Sequence, residues 1–148
     1  MDPIINHKQG RRTKKYLKGR VAKEWELAYL AGLFDGEGSI SVYPKIRKKE
    51  GDVRCYPVIA IGMSDKEGLQ LFSEVLGGSP VTGEKRKNPR PNHKPMFECR
   101  AIGAKAHQIL GRLLPYLRVK KHRAEVVYNK GPVWLEKEKW HGSYNHHS

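Results

Sequence analysis

The stretch that most constrains this chain runs from Glu24 to Gly38, EWELAYLAGLFDGEG. Leu27, Leu30, Ala31 and Phe34 recur at the spacing of an apolar helix stripe, while Trp25, Ala28, Gly32 and Asp35 fall near another face. The spacing predicts a helix to about Asp35 that breaks in Gly36-Glu37-Gly38. Ala28, Ala31, Gly32 and Gly36 thin one side of it, and a glycine inside a helix costs up to about 1 kcal/mol relative to alanine unless packing offsets it. Something must therefore approach that side closely, either the chain's own sheet or a second helix.

Charge reverses sign in the same place. Lys and Arg number 29 against 15 Asp and Glu, a net +14, and such an excess in a short chain points to a polyanion, with nucleic acid ahead of an acidic membrane surface. Pro3 to Lys23 holds eight basic residues and no acid, whereas Glu24 to Gly38 holds four acids and no Lys or Arg. Carboxylates near phosphates call for a cation between them.

The 148 residues suit one domain. Cys55 and Cys99 stand in no zinc or disulfide spacing and read as reduced, half-buried strand residues. With no signal-like apolar region and no run of membrane length, the expectation is an intracellular protein without a membrane partner. There is no nucleotide-binding glycine loop, no Ser/His/Asp order and no CxxC. His141, His146 and His147 read as a surface tail rather than metal ligands.

Residues 1–23 lack apolar periodicity and read as a basic arm. Ser39 to Lys49 alternates, with Ile40, Val42 and Ile46 inward and Ser39, Ser41, Tyr43, Lys45 and Arg47 outward. A turn at Glu50-Gly51-Asp52 leads into a second strand to about Met63, where Arg54 and Tyr56 continue the outward comb and Cys55, Ile59 and Ile61 face the core. Ser64-Asp65-Lys66-Glu67 reads as a capping box before a helix bearing Leu69, Phe72, Val75 and Leu76, stopped by Gly77-Gly78. A second hairpin follows, with strands near 80–87 and 95–102 joined by a basic loop. Helices over 104–114 and 120–129 are divided near Pro115. The class is α+β, in the order α-β-β-α-β-β-α-α, with helices on one side of an antiparallel sheet. Residues 130–148 form a tail, with Trp134 and Trp140, that either packs or stays loose. The unit occurs once, without internal repeat.

Leu30-Ala31-Gly32-Leu33-Phe34-Asp35-Gly36-Glu37-Gly38 resembles the LAGLIDADG motif. The likeness runs in the same order through both hairpins, the capped helix and Leu117-Arg118-Val119-Lys120-Lys121, over about residues 24–129. The chain is thus similar to the single-motif LAGLIDADG homing endonucleases, whose sheet is a saddle over DNA. That resemblance implies a homodimer joined through the motif helix, at Ala28, Ala31, Gly32 and Asp35, which cuts double-stranded DNA at a long, roughly palindromic site and leaves short 3′ overhangs. It implies Mg²⁺, replaceable by Mn²⁺, with Ca²⁺ supporting binding without cleavage. By the same resemblance Glu37 is the catalytic metal ligand, assisted by the Gly36 carbonyl; many members carry Asp there, and Glu reaches one methylene further.

Asp35 points to a different side of a helical path and is expected to be structural rather than a ligand. Lys120 matches the family's basic residue at the cleavage centre, where catalysis and phosphate clamping are both open to it. The comb of Ser39, Ser41, Tyr43, Lys45, Arg47, Arg54 and Tyr56, with Lys85, Lys87 and Arg100 of the second hairpin, would enter the major groove, while Arg118 and Lys121 would hold backbone. One departure stands out: Gly62-Met63 occupies the end of the second strand, where relatives often place Gln or Asn. Together with Glu37 in place of the commoner Asp, it motivates a second reading, a non-cleaving nucleic-acid binder such as an intron RNA maturase or a DNA-binding regulator.

Overall fold

A computed structural model describes residues 16–83 and 94–137. Helix α1 (Glu24–Glu37) passes straight into strand β1 (Gly38–Arg47), which pairs with β2 (Asp52–Met63). Helix α2 (Lys66–Leu76), β3 (Thr82–Gly83), β4 (Phe97–Ile102) and α3 (Ala104–Leu113) follow. A 3₁₀ turn (Leu114–Tyr116) with Pro115 at its start, where a missing N–H costs nothing, then leads to α4 (Lys121–Lys130) and β5 (Trp134–Lys137). All pairings are antiparallel in an open sheet of order β1-β2-β4-β3, with β5 also on β2. The α+β order is as the sequence predicts, with β5 added. Among the described residues no helix is long and apolar enough to cross a membrane.

One core lies between the sheet and its helices. Leu30, Ala31 and Phe34 of α1 meet Leu69, Phe72, Val75 and Leu76 of α2, Ile109, Leu110 and Leu113 of α3, and Ile40, Ile59, Ile61 and Cys99 of the sheet. The rings of Phe34 and Phe72 stack at 6.1 Å. Gly38 has a local reason to be glycine, because an added Cβ would strike the Phe34 ring. The helix therefore continues through Gly36 to Glu37 rather than breaking near Asp35. Asp65, not Ser64, caps α2, its Oδ1 accepting from the Glu67 N–H at 3.0 Å.

The far end of β1 departs from simple alternation. Ile46 is 60% exposed, because the helices cover only the part of the sheet near α1. Past Val42 a small second cluster of Val42, Val53 and Cys55 takes over, and its cover is Trp134. That residue comes from the segment read as a tail: β5 pairs Asp52–Cys55 of β2, while β4 pairs Val58–Met63 of the same strand. Tyr56 and Pro57 fall in the gap, where a residue without an N–H is tolerated. Both cysteines are free and fully buried rather than half-buried, and burial pushes each thiol up to about 11.

The packed unit also reaches upstream of residue 24. Leu17 bridges Gly78, and Arg20 N–H donates to the Val75 carbonyl at 2.9 Å. The Arg20 guanidinium grips Glu26 through two 3.0 Å bonds, and Glu26 also accepts the Lys23 N–H at the start of α1. Residues 1–15, 84–93 and 138–148, which include Lys85, Lys87, Trp140, His141, His146 and His147, lie outside the described residues.

Two outcomes follow. Trp134→Ala exposes the second cluster and strips the anchor of β5; since Trp134 is only partly buried, the expected loss is about 2 kcal/mol, below that of a fully buried tryptophan, and an unchanged denaturation midpoint would count against it. The Arg20 side-chain bonds, aided by the Lys23 N–H, hold the Glu26 carboxyl down at about 2 from its usual 4.5. A folded-state value below the unfolded one stabilises the protein above about pH 4.5 and loses that contribution as pH falls from 4.5 toward 2. Glu26→Gln should flatten the stability profile in that window, as measured by urea melts at several pH values.

Candidate nucleic-acid and metal site

The sheet face opposite the helices is set by register. Ser39 stands across from Ala60, which pairs with Arg100; Tyr43 faces Tyr56; Lys45 faces Arg54, beside Leu135; Arg47 faces Asp52. The predicted comb of Ser39, Ser41, Tyr43, Lys45, Arg47, Arg54, Tyr56 and Arg100 thus shares one face. Its teeth are not equally free. Arg47 is locked to Asp52 by two 2.8 Å bonds, Nε to Oδ1 and Nη2 to Oδ2. Arg100 lies 3.8 Å from Glu98, a loose and exposed pair. The Tyr43 and Tyr56 rings sit 6.3 Å apart across the hairpin.

Sequence reasoning missed two contributors to this face, Glu98 and Leu135. Glu98 adds a carboxylate beside Gly62, and Leu135 adds an exposed apolar side chain beside Arg54. Arg123 fastens α4 to the hairpin by donating to the Ile40 carbonyl at 3.0 Å. Leu135 could be found only by recognising β5, whose four residues lack clear alternation; Glu98 follows from alternation once the β4 register is known.

At one end of this face the C-terminus of α1 arrives. Glu37 is exposed and makes no hydrogen bond or ion pair among the described residues. Gly38 N–H satisfies the Phe34 carbonyl, and the Lys120 ammonium donates to the Asp35 carbonyl at 2.6 Å. Lys120 therefore stands at the helix end that carries Glu37. Arg118 and Lys121 are exposed around it. Asp35 is turned aside: its Oδ2 accepts from the Arg118 N–H at 2.8 Å and its Oδ1 from the Lys120 N–H at 2.9 Å. Burial alone would raise the Asp35 pKa, but the N–H groups of Lys120, Arg118 and Val119 and the Lys120 charge outweigh it and leave the pKa lowered.

Gly62 occupies the outward position near the end of β2, so no side chain stands there; Met63 turns inward and packs near Gly68 and the core. Ser64 is exposed in the following turn.

The outer side of α1 is bare. Trp25 is 60% and Tyr29 49% exposed, and Ala28, Gly32 and Gly36 are exposed between them. An added Cβ at Gly32 or Gly36 would meet nothing within 4 Å. Gly32 is therefore not explained by close packing on the chain's own sheet. Ala31, expected on the same side, is instead fully buried in the protomer's own core, because its position continues the Leu27 and Phe34 stripe.

Among the described residues no group of three or more His, Cys, Asp or Glu converges. The Glu37 carboxylate and the adjacent Gly36 carbonyl form an all-oxygen donor set, which suits a hard divalent cation that keeps several waters. One chain supplies only part of such a shell.

These features agree with the comparisons. The LAGLIDADG-like domain profile matches residues 24–125. Among solved structures, the homing endonuclease I-CvuI in complex with its target and Ca²⁺ matches at TM-score 0.53 and 25% identity, covering 71% of this chain and 64% of that one. The same enzyme with the I-CreI target and Mg²⁺, its DNA not cleaved, matches at TM-score 0.50 and 25% identity, covering 72% and 65%. The group I intron-encoded homing endonuclease I-CeuI, complexed with DNA, matches at TM-score 0.50 and 15% identity over 74% and 55%, a likeness of fold alone. The chain spans just under two thirds of I-CvuI. No curated protein sequence matches it. With the motif helix, the first hairpin, the capped helix and the Lys120 segment all inside the matched span, this chain belongs to the LAGLIDADG-like domain family.

Proposed function

We propose that this chain is a site-specific DNA endonuclease that works as a homodimer, binding a long, roughly palindromic duplex on its sheet and cutting both strands with Mg²⁺. The observation that carries the reading is the end of α1. Glu37, unpaired among the described residues, stands where the basic sheet face begins, on a helix whose Gly32 and Gly36 meet no packing partner among those residues. Glycines that serve nothing inside the chain suit close approach by the same helix of a second copy about a two-fold axis. Two copies would bring two Glu37 carboxylates together, one for each strand.

In this reading Lys45, Arg54 and Arg100 meet base edges or phosphates, Tyr43 and Tyr56 adapt to the groove, and Arg118 and Lys121 hold backbone. Arg47 serves better as a brace for the hairpin turn, since Asp52 already takes its guanidinium. Glu37 and the Gly36 carbonyl hold Mg²⁺, which supplies charge neutralisation at the scissile phosphate and an activated water when bound. The Lys120 ammonium, bonded to the Asp35 carbonyl at the same helix end, would stabilise negative charge developing at the phosphate. Lys85 and Lys87, outside the described residues, add further positive charge to the chain.

A non-cleaving binder of DNA or intron RNA is the second reading, and Gly62 favours it, because no side chain there can order a water. Selection from a degenerate DNA library, once with Mg²⁺ and once with Ca²⁺, separates the two. A nuclease gives a defined double-strand cut only with Mg²⁺; a binder enriches a site and cuts in neither.

On the selected site, Glu37→Gln should reduce cutting by about a hundredfold or more while affinity in Ca²⁺ stays the same; cutting at the original rate would remove Glu37 from the metal site. Gly32→Leu separates assembly from folding. It fits open space and improves helix propensity, so the monomer should melt no lower, and higher by up to about 1 kcal/mol. Sedimentation should show the dimer lost, and a dimer that persists would place the interface elsewhere.

A further inference from the structure

Asp35 and Lys120 exchange bonds in both directions. The Asp35 carboxylate accepts the Lys120 backbone N–H at 2.9 Å, and the Lys120 ammonium donates to the Asp35 backbone carbonyl at 2.6 Å. The second carboxylate oxygen takes the Arg118 N–H at 2.8 Å. The two helices joined in this way each lack the charge that their exposed ends favour. Helix α1 has no basic residue in its last turn, and α4 has no acid in its first turn. Lys120 brings a cation to the partly negative end of α1, and Asp35 brings an anion to the partly positive end of α4. Both carboxylate oxygens of Asp35 are engaged by backbone N–H groups of the 118–120 segment. Glu37 is left as the exposed acid of the motif.

We propose that Asp35 is a positioning residue, which holds the 118–120 segment against the motif helix so that the Lys120 ammonium stands beside Glu37. The inference rests on the nuclease reading and deepens it: the first motif acid acts through Lys120, and the second acts on the metal.

The test uses the full chain with Asp35→Asn, which keeps size and one acceptor oxygen but places an NH₂ against the second N–H donor. Amide exchange at Arg118 and Lys120 should quicken by about tenfold or more, with Leu30 and Ile59 in the core unchanged. Unaltered exchange at both would overturn the proposal. On the selected DNA site, single-turnover cleavage should fall by about tenfold with affinity kept. In a Lys120→Ala background the same substitution should cost little, since the group being positioned is already gone. Equal losses in the two backgrounds would mean that Asp35 does not act through Lys120. If the wild type cuts no DNA, the nuclease reading fails, and the exchange measurement still decides whether Asp35 holds the Lys120 segment.

Discussion

The passage from α1 into β1 without an intervening loop depends on one contact, the Phe34 ring lying across Gly38. A strand can leave the end of a helix this abruptly only if the first strand residue has no Cβ in the way. Phe34 in turn is fixed by Phe72 and the rest of the core, so the junction is held from inside. Everything placed at the site inherits that rigidity. Glu37 is the last helical residue and Ser39 already a strand residue of the basic face, which puts the acid beside the basic face rather than on a mobile turn.

Electrostatics then divides the molecule. The sheet face gathers Lys45, Arg54 and Arg100, and the opposite layer is apolar. Acids on or near the basic face are neutralised locally, Asp52 by Arg47 and, more loosely, Glu98 by Arg100. Glu37 makes no ion pair among the described residues. An exposed carboxylate that no described residue pairs, on a chain of net +14, is the feature that composition alone could not locate.

The order of elements and the inner stripe of α1 were legible because helix and strand periods are strong signals in Leu30, Phe34, Leu69 and Phe72 and in the alternation from Ser39 to Tyr43. The comb was legible for the same reason. What was not legible depended on contacts distant in sequence. Ile46 obeys the alternation yet is exposed, since alternation tells which face a residue takes and not whether anything covers it. β5 is four residues long and owes its place to Trp134 filling a gap beside β2. Asp65 displaced Ser64 as the cap by one position, within the ordinary uncertainty of helix ends. Ala31 was counted both in the apolar stripe and on the thin side, and its full burial puts it with the stripe. The tie between Asp35 and Lys120 spans 85 positions and leaves no local trace.

The seamless junction also limits how the segment can change in length. One residue inserted between Glu37 and Gly38 would pull Gly38 away from the Phe34 ring. If the strand kept its place in the sheet, the same insertion would exchange the two faces of β1, sending Ser39, Ser41 and Tyr43 into the core and Ile40 and Val42 out. At the other end of the hairpin, the turn after Arg47 is closed by a 2.9 Å bond from the Gly51 N–H and braced by the Arg47–Asp52 pair, and residues added between those two leave both faces in register. Variation in the reach of this hairpin is therefore free at its tip and forbidden at its root.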